Sequence, residues 1–377
     1  MSNFALIENL EGRRMLHGGL GDGDFVSMVP PAGPKMEAEA VLAYNGLDPV
    51  IVAMFSDPDS IEPEEWRTLE KVYVVPESVR GAQPTENPGE PMDVVPADQF
   101  QVITTGNGGY FSENYDHLNV GALMIFGVGH AETPEEIDYE DLRDRLQIAV
   151  DEGRTPVFDV EHLKVDIDRH STDEVDRSML VYQAVIDFAR AEFPEVQIGF
   201  YGTFPIRDYW TPIYYRRALE SVAEGRDDFW AANIQRYTDR YMDWQASNDY
   251  LAPLARQVDV IYPSLYTFSD DPQEWQWYAE ESIKQAERFG KPVIPFLWNR
   301  YHQSNQDLKW QTIDGDFWRL QLDTVRANAA GVAIWDFSAA TSVDLDVAAD
   351  YSTNNAWYNQ TVDFFEDIFE EANPDDE

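Results

Sequence analysis

A TIM-type (β/α)8 barrel is the fold class this sequence predicts, irregular in its first strands and interrupted by an inserted helical excursion after the fifth. Three observations predict it. From about residue 48 short apolar runs alternate with longer amphipathic ones, the pattern of βα units in a parallel sheet. The short runs number eight, the count a closed barrel of this type uses. The chain, at 377 residues and 44% hydrophobic, is long enough for one large barrel and its core.

The candidate strands are Val50 to Phe55, Val72 to Val75, Ala122 to Phe126, Pro156 to Glu161, Ile198 to Tyr201, Val258 to Tyr262, Val293 to Leu297 and Val332 to Trp335. About 45 residues of loop-like sequence separate the second from the third, with a further strand at Phe100 to Thr104 as an alternative. Helices are expected over Asp138 to Val150, Asp173 to Ala191, Gln273 to Phe289 and Asp316 to Ala329. Each repeats apolar residues at 3-and-4 spacing and opens on acids, where the helix dipole favours them. Between strands five and six, Trp210 to Leu254 carries many aromatic residues, which suit either a packed helical pair or a wall of rings beside a sugar site. The chain divides into a leader and flexible segment at 1–45, a catalytic barrel at 46–372 and an acidic tail at 373–377.

Composition narrows the partners. With 27 Lys+Arg against 70 Asp+Glu the net charge is −43, which argues against nucleic acid or an anionic membrane as a bulk partner. The basic residues are mostly arginine; with the acidic surface this suits a salty or marine setting, or simply an acidic soluble enzyme. No run of sequence is long and apolar enough to predict a membrane span. The absence of cysteine excludes disulfides, thiolate metal sites and cysteine nucleophiles. The histidines show no His-x-x-x-His spacing, and Gly106-Asn-Gly-Gly109 lacks the lysine and helix of a phosphate loop, so neither metal nor cofactor is expected.

The chemistry centres on Thr155-Pro-Val-Phe-Asp-Val-Glu-His162. Residues two apart on a strand point the same way, so Val157, Asp159 and Glu161 share one face while Phe158 and Val160 share the other. Spacing alone selects nothing, because a chain with 70 acids among 377 residues makes such pairs about a dozen times by chance. This pair is distinguished by its apolar run and by its place at the C-terminal end of a barrel strand, where barrel enzymes hold their reacting groups. A buried carboxylate without compensation costs several kcal/mol or keeps its proton, and that cost is mostly tolerated for function. Other strand ends add Tyr201, Tyr262 and Tyr266, Trp298, Arg300 and His302, and Trp335 with Asp336. A pocket of carboxylates, tyrosines and tryptophans is what glycosidic bond cleavage requires. Lys164, Arg207, Arg300, His162 and His302 either form a basic patch for an anionic glycan or are separate surface charges.

Four segments carry a family resemblance. Phe158-Asp-Val-Glu161, Gly199-Phe-Tyr-Gly202, Tyr262-Pro-Ser-Leu-Tyr266 and Gly331-Val-Ala-Ile-Trp335 resemble, in order, the Asp-x-Glu, Gly-Tyr-Tyr, Tyr-Pro-Ser-x-Tyr and Gly-Val-x-x-Trp segments of the hyaluronidase family of barrel glycoside hydrolases. The resemblance covers roughly residues 120 to 340. It implies an endo-acting glycoside hydrolase of polysaccharides, with Glu161 as general acid/base, Asp159 orienting a substrate acetamido nucleophile, and Tyr201, Tyr262 and Trp335 lining the sugar subsite. The aromatic residue that follows the acid pair in that family is absent here, as are the cysteines of its animal members. The chain is also similar to the lysozyme-type muramidase barrel, through its Asp-x-Glu and Trp335-Asp-Phe-Ser338. Its salt-adapted composition suits a retaining endo-fucanase of sulfated marine polysaccharide, with Asp336 as the outside nucleophile. A catalytically silent glycan-binding barrel is the competing class. Near the start, Leu10-Glu11-Gly12-Arg13-Arg14-Met15-Leu16 resembles the leader of many planctomycete exported proteins, which implies export to the periplasm or beyond.

Overall fold

The computed structural model describes residues 95–105, 111, 115, 118, 120–335 and 355–373. The expected leader, the strands at 50–55 and 72–75, Gly106 to Gly109, Asp336 and nearly all of the acidic tail lie outside the described residues.

The sheet holds five parallel strands: β1 (Gln101–Thr104), β2 (Val120–Phe126), β3 (Thr155–Phe158), β4 (Phe296–Trp298) and β5 (Gly331–Trp335), in the order β3-β2-β1-β5-β4. Its two edges do not stay open. Phe158 of β3 bridges Phe200, Tyr201 bridges Tyr262, Ile261 bridges Val293 and Ser264 bridges Phe296 of β4, all in parallel. The backbone confirms the circuit: Tyr201 N–H donates to Phe158 O at 2.8 Å, Gly202 N–H to Tyr262 O at 2.9 Å, and Phe296 N–H to Pro263 O at 2.7 Å. Seven parallel segments therefore close a ring among the described residues. Two of the eight expected strands, at 50–55 and 72–75, lie outside the described residues. The strand at Phe100 to Thr104, an alternative in the sequence, is β1, and it pairs directly with β5.

Helices return the chain between parallel strands, as such a ring requires. They are α1 (Tyr139–Asp151), α2 (Thr172–Glu192), α3 (Trp210–Ala223), α4 (Phe229–Ala232), α5 (Ile234–Ala255), α6 (Pro272–Glu287), α7 (Gly315–Asn328) and α8 (Ala356–Ala372). The four helices read from apolar spacing are present within two residues of their expected bounds, and side-chain caps explain where they start. Asp138, Asp271 and Asp314 each accept from the first free backbone N–H groups of α1, α6 and α7. Ser171 and Glu174 form a reciprocal capping box on α2, and Lys164 and Ser171 together pull Glu174 down to about 2. The excursion at Trp210 to Leu254 is α3, α4 and α5. The sequence reading did not assign α8, which packs on α7 with Trp318 Nε1 donating to Thr361 Oγ1 at 2.9 Å.

Two apolar clusters follow from strand alternation. Ile103, Leu123, Val157, Tyr201, Val260, Tyr262, Ile294, Phe296 and Ala333 fill the ring interior, while Phe158, Val160 and Phe200 join the larger cluster beneath the helices. Val157 and Phe158 fall on opposite sides, as the alternation predicts. Gly199 is required here, because a Cβ at that position would collide with the Tyr262 ring.

Candidate active site

β3 ends at Phe158, and Asp159 extends its pairing by one residue, donating its N–H to Phe126 O at 3.0 Å. Beyond that point the chain turns off the ring. Tyr182 of α2, fully buried, donates its hydroxyl to Val160 O at 3.1 Å, so the residue between the two acids is held from the helix layer. Gly127 lies against the same backbone. A Cβ there would stand 2.5 Å from Asp159 O, which explains a glycine at the end of β2.

The two acids differ in their surroundings. Asp159 is half-buried and its carboxyl is crowded by protein. Burial, and then the charge of Glu161, push its pKa up to about 7, against an opposing hydrogen bond from the Glu161 backbone N–H and the charge of Arg207. Glu161 is the more open group. Arg207 Nη1 donates to Glu161 Oε1 at 3.2 Å, with 27% and 28% of the two side chains exposed.

Aromatic rings occupy the mouth beside the acids. The Tyr201 hydroxyl pairs with Ser264 Oγ at 3.0 Å and with the Tyr266 hydroxyl. Tyr266 stacks on Trp335 with centroids 5.4 Å apart, Trp335 stacks on Trp298 at 5.2 Å, and Trp310 meets Trp298 edge-on at 5.5 Å. Trp298 Nε1 is buried and makes no hydrogen bond. Burial first, then the neighbouring Tyr201 phenol, and last the charges of Glu161 and Asp159, raise the Tyr266 phenol well above its ordinary value.

No family model matches the chain, and no curated protein matches it. Among solved structures it is similar to bee venom hyaluronidase, at 14% identity over 73% of this chain and 98% of that one, with a TM-score of 0.45. It is also similar to the catalytic domain of a mannanase from Streptomyces sp. SirexAA-E, at 13% identity over 77% and 95% of the two chains and a TM-score of 0.36. A fungal β-1,4-galactanase gives 10% identity over 64% and 79%, with a TM-score of 0.35.

The remaining expected residues have other surroundings. Tyr262 is only 1% exposed and packs inside the ring on Phe296. Arg300 is buried, donates Nη1 to Trp310 O at 2.9 Å and braces the loop that carries Trp310. His302 lies on Phe268 with centroids 4.4 Å apart, and its Nδ1 accepts from the Ser304 N–H at 3.2 Å. Of the two readings open for the rim cations, a patch or separate charges, three of them have separate partners: Lys164 pairs with Glu174, His162 Nε2 pairs with Ala131 O at 2.9 Å, and Arg207 pairs with Glu161. The aromatic residues of the excursion pack on one another, Tyr215 on Tyr241 at 4.3 Å and Trp230 between Tyr214, Tyr237 and Arg217, as a packed helical pair would.

Three residues beside the acids and rings were not singled out from sequence. Tyr182 reads there as an apolar-face residue of a helix. Ser264 lies inside the quoted Tyr-Pro-Ser-Leu-Tyr run. Trp310 adopts φ 69°, a left-handed backbone that bulky residues rarely take, and no sequence pattern announces it.

Proposed function

We propose that the chain is a glycoside hydrolase that cuts a polysaccharide internally by general acid/base catalysis from Asp159 and Glu161. The observation that carries this reading is the unequal pair at the C-terminal rim of a parallel ring. One carboxyl is crowded and protonated near neutrality, while its neighbour two residues on is open and paired with an arginine. A glycosidic bond needs a proton for the leaving oxygen and a base for the attacking group. Two neighbouring carboxyls whose surroundings differ this much can divide those two tasks between them. In this reading Glu161, the more open group, meets the glycosidic oxygen as general acid/base, and Asp159 orients what attacks.

The four hyaluronidase-like segments support the same reading. They fall on β3, on the two bridged segments that follow it, and on β5, so their order in sequence becomes a common rim. Trp335 and Trp310, half-buried and backed by the buried rings of Tyr266 and Trp298, supply flat apolar faces of the kind that pyranose rings stack on. Export of the protein, read from its leader, belongs to the same proposal.

Product analysis on hyaluronan, chondroitin, chitin-type, mannan, galactan, peptidoglycan and sulfated fucan substrates tests it. The expected outcome is internal cleavage of one of them by the wild type and a loss of several orders of magnitude in rate, with binding retained, in Glu161→Gln. Binding without cleavage by the wild type would make the chain a glycan-binding barrel instead. Cleavage of a glycan that carries no acetamido group would require a second protein carboxylate as nucleophile.

A further inference from the structure

Arg207 sits on the segment that runs from the ring at Tyr201 to the start of α3, and its neighbours on both sides are fixed. Ile206 N–H donates to Asn248 Oδ1 at 2.7 Å, and Ile206 O accepts from Trp244 Nε1 at 2.8 Å. Both partners belong to α5 of the inserted excursion. Asn248 is fully buried, and its amide donates to Trp244 O at 2.8 Å, so its orientation is set by its own helix. On the other side Asp208 accepts from Thr211 N–H at 2.9 Å and Thr211 Oγ1 at 2.7 Å, anchoring the start of α3. A long side chain loses rotamer freedom when held in one ion pair, and fixing the backbone at both flanking residues reduces the number of directions it can take.

We propose that Arg207 is a positioning residue for the carboxylate pair, and that Asn248 keeps it on Glu161 by clamping the adjacent peptide. This rests on reading Asp159 and Glu161 as the reacting groups. The excursion then has a task at the rim: its buried polar pair reaches back to the ring and aims one guanidinium. The groups that face Arg207 are Glu161, Asp159 and the phenols of Tyr201, Tyr278 and Tyr266. Those that face Asp159 are Glu161, Arg207, Tyr182 and Tyr266. Arg207 is the cation that opposes the upward push on Asp159, so withdrawing it drives the Asp159 proton on more firmly.

The test is an infrared titration of the protonated carboxyl band on the full chain, which needs no substrate. Asp159→Asn identifies the band. Arg207→Met is expected to move its midpoint upward by about 1 pH unit, and Arg207→Lys, which keeps the charge without the planar fork, by less. Asn248→Ala is expected to move the midpoint in the same direction although no charge has changed, which a residue that only stabilised the fold would not do. Circular dichroism checks that each variant is folded, and if Arg207→Met is not, the smaller upward shift in Arg207→Lys decides. An unmoved midpoint in the arginine variant, or in Asn248→Ala, overturns the proposal. Absence of cleavage across the glycan panel would defeat the hydrolase reading and leave these midpoints readable; unmoved midpoints in an active enzyme would defeat this one alone.

Discussion

The hydroxyl of Tyr182 donates to the carbonyl of Val160 across 3.1 Å, so a helix on the outside of the ring grips the single residue that separates Asp159 from Glu161. Removing that hydroxyl leaves a buried carbonyl short of a donor. Tyr182→Phe is expected to cost about 1 to 2 kcal/mol in stability, read as a lower urea midpoint at unchanged m-value. Because the same residue sets the spacing of the two acids, turnover on the cleaved glycan should fall as well.

Gly127 offers a sharper probe of that spacing. A methyl group there meets Asp159 O at 2.5 Å, and the obstacle is backbone, so Asp159 has to shift. Gly127→Ala is expected to cost about 1 to 3 kcal/mol and to reduce kcat more than KM. A rate equal to wild type would show that the exact position of Asp159 is immaterial.

The proton on Asp159 links stability to pH. Its folded pKa is raised to about 7 from an ordinary 3.8, so between those values the folded chain binds more protons than the unfolded one. Stability therefore falls as pH rises through this window, and the cost is complete above about 7. Asp159→Asn should be more stable than wild type at pH 8 by on the order of 2 kcal/mol, with most of the difference gone near pH 4. Glu161→Gln should lower the midpoint, because it removes a like charge that helps to raise it. Urea titrations at the two pH values check the first expectation and the infrared band checks the second.

Trp335 and Trp310 are the half-buried rings of the aromatic mouth, Trp335 stacked on Trp298 and Trp310 set edge-on to it. If they meet substrate, Trp335→Ala and Trp310→Ala should each raise KM by about 2- to 10-fold with a smaller effect on kcat, the worth of one aromatic contact. Equal losses in kcat and kcat/KM would assign those rings to the transition state instead.

Strand alternation is a local rule, and Val157 inside and Phe158 outside follow from the pleat with Asp159 continuing it. The strand expected to run to Glu161 ends at Phe158, so Glu161 lies in the turn beyond, where alternation no longer sets its direction. The helices were legible from local signals too, since Asp138, Ser171, Asp271 and Asp314 cap from adjacent positions. What stayed hidden was non-local. Arg207 lies 46 residues from Glu161, and its aim depends on Asn248, 42 residues from Ile206, so no window of sequence contains the relationship. β1 stood only as an alternative in the sequence because it is four residues long and follows a stretch rich in glycine and proline. Lys164 looked like a rim cation only because its partner, Glu174, opens the next helix.

The ring is not fastened evenly around its circumference. From β4 through β5, β1 and β2 to β3, neighbours share runs of three or four paired residues, whereas the arc through Phe200, Tyr201 and Tyr262 is closed by isolated bridges. That arc is a seam, and it begins at β3, whose end leads into the acids. Local opening follows the weakest pairing, so amide exchange within the ring should be fastest along it. A rim built over a seam can shift on one side while the opposite wall keeps its register.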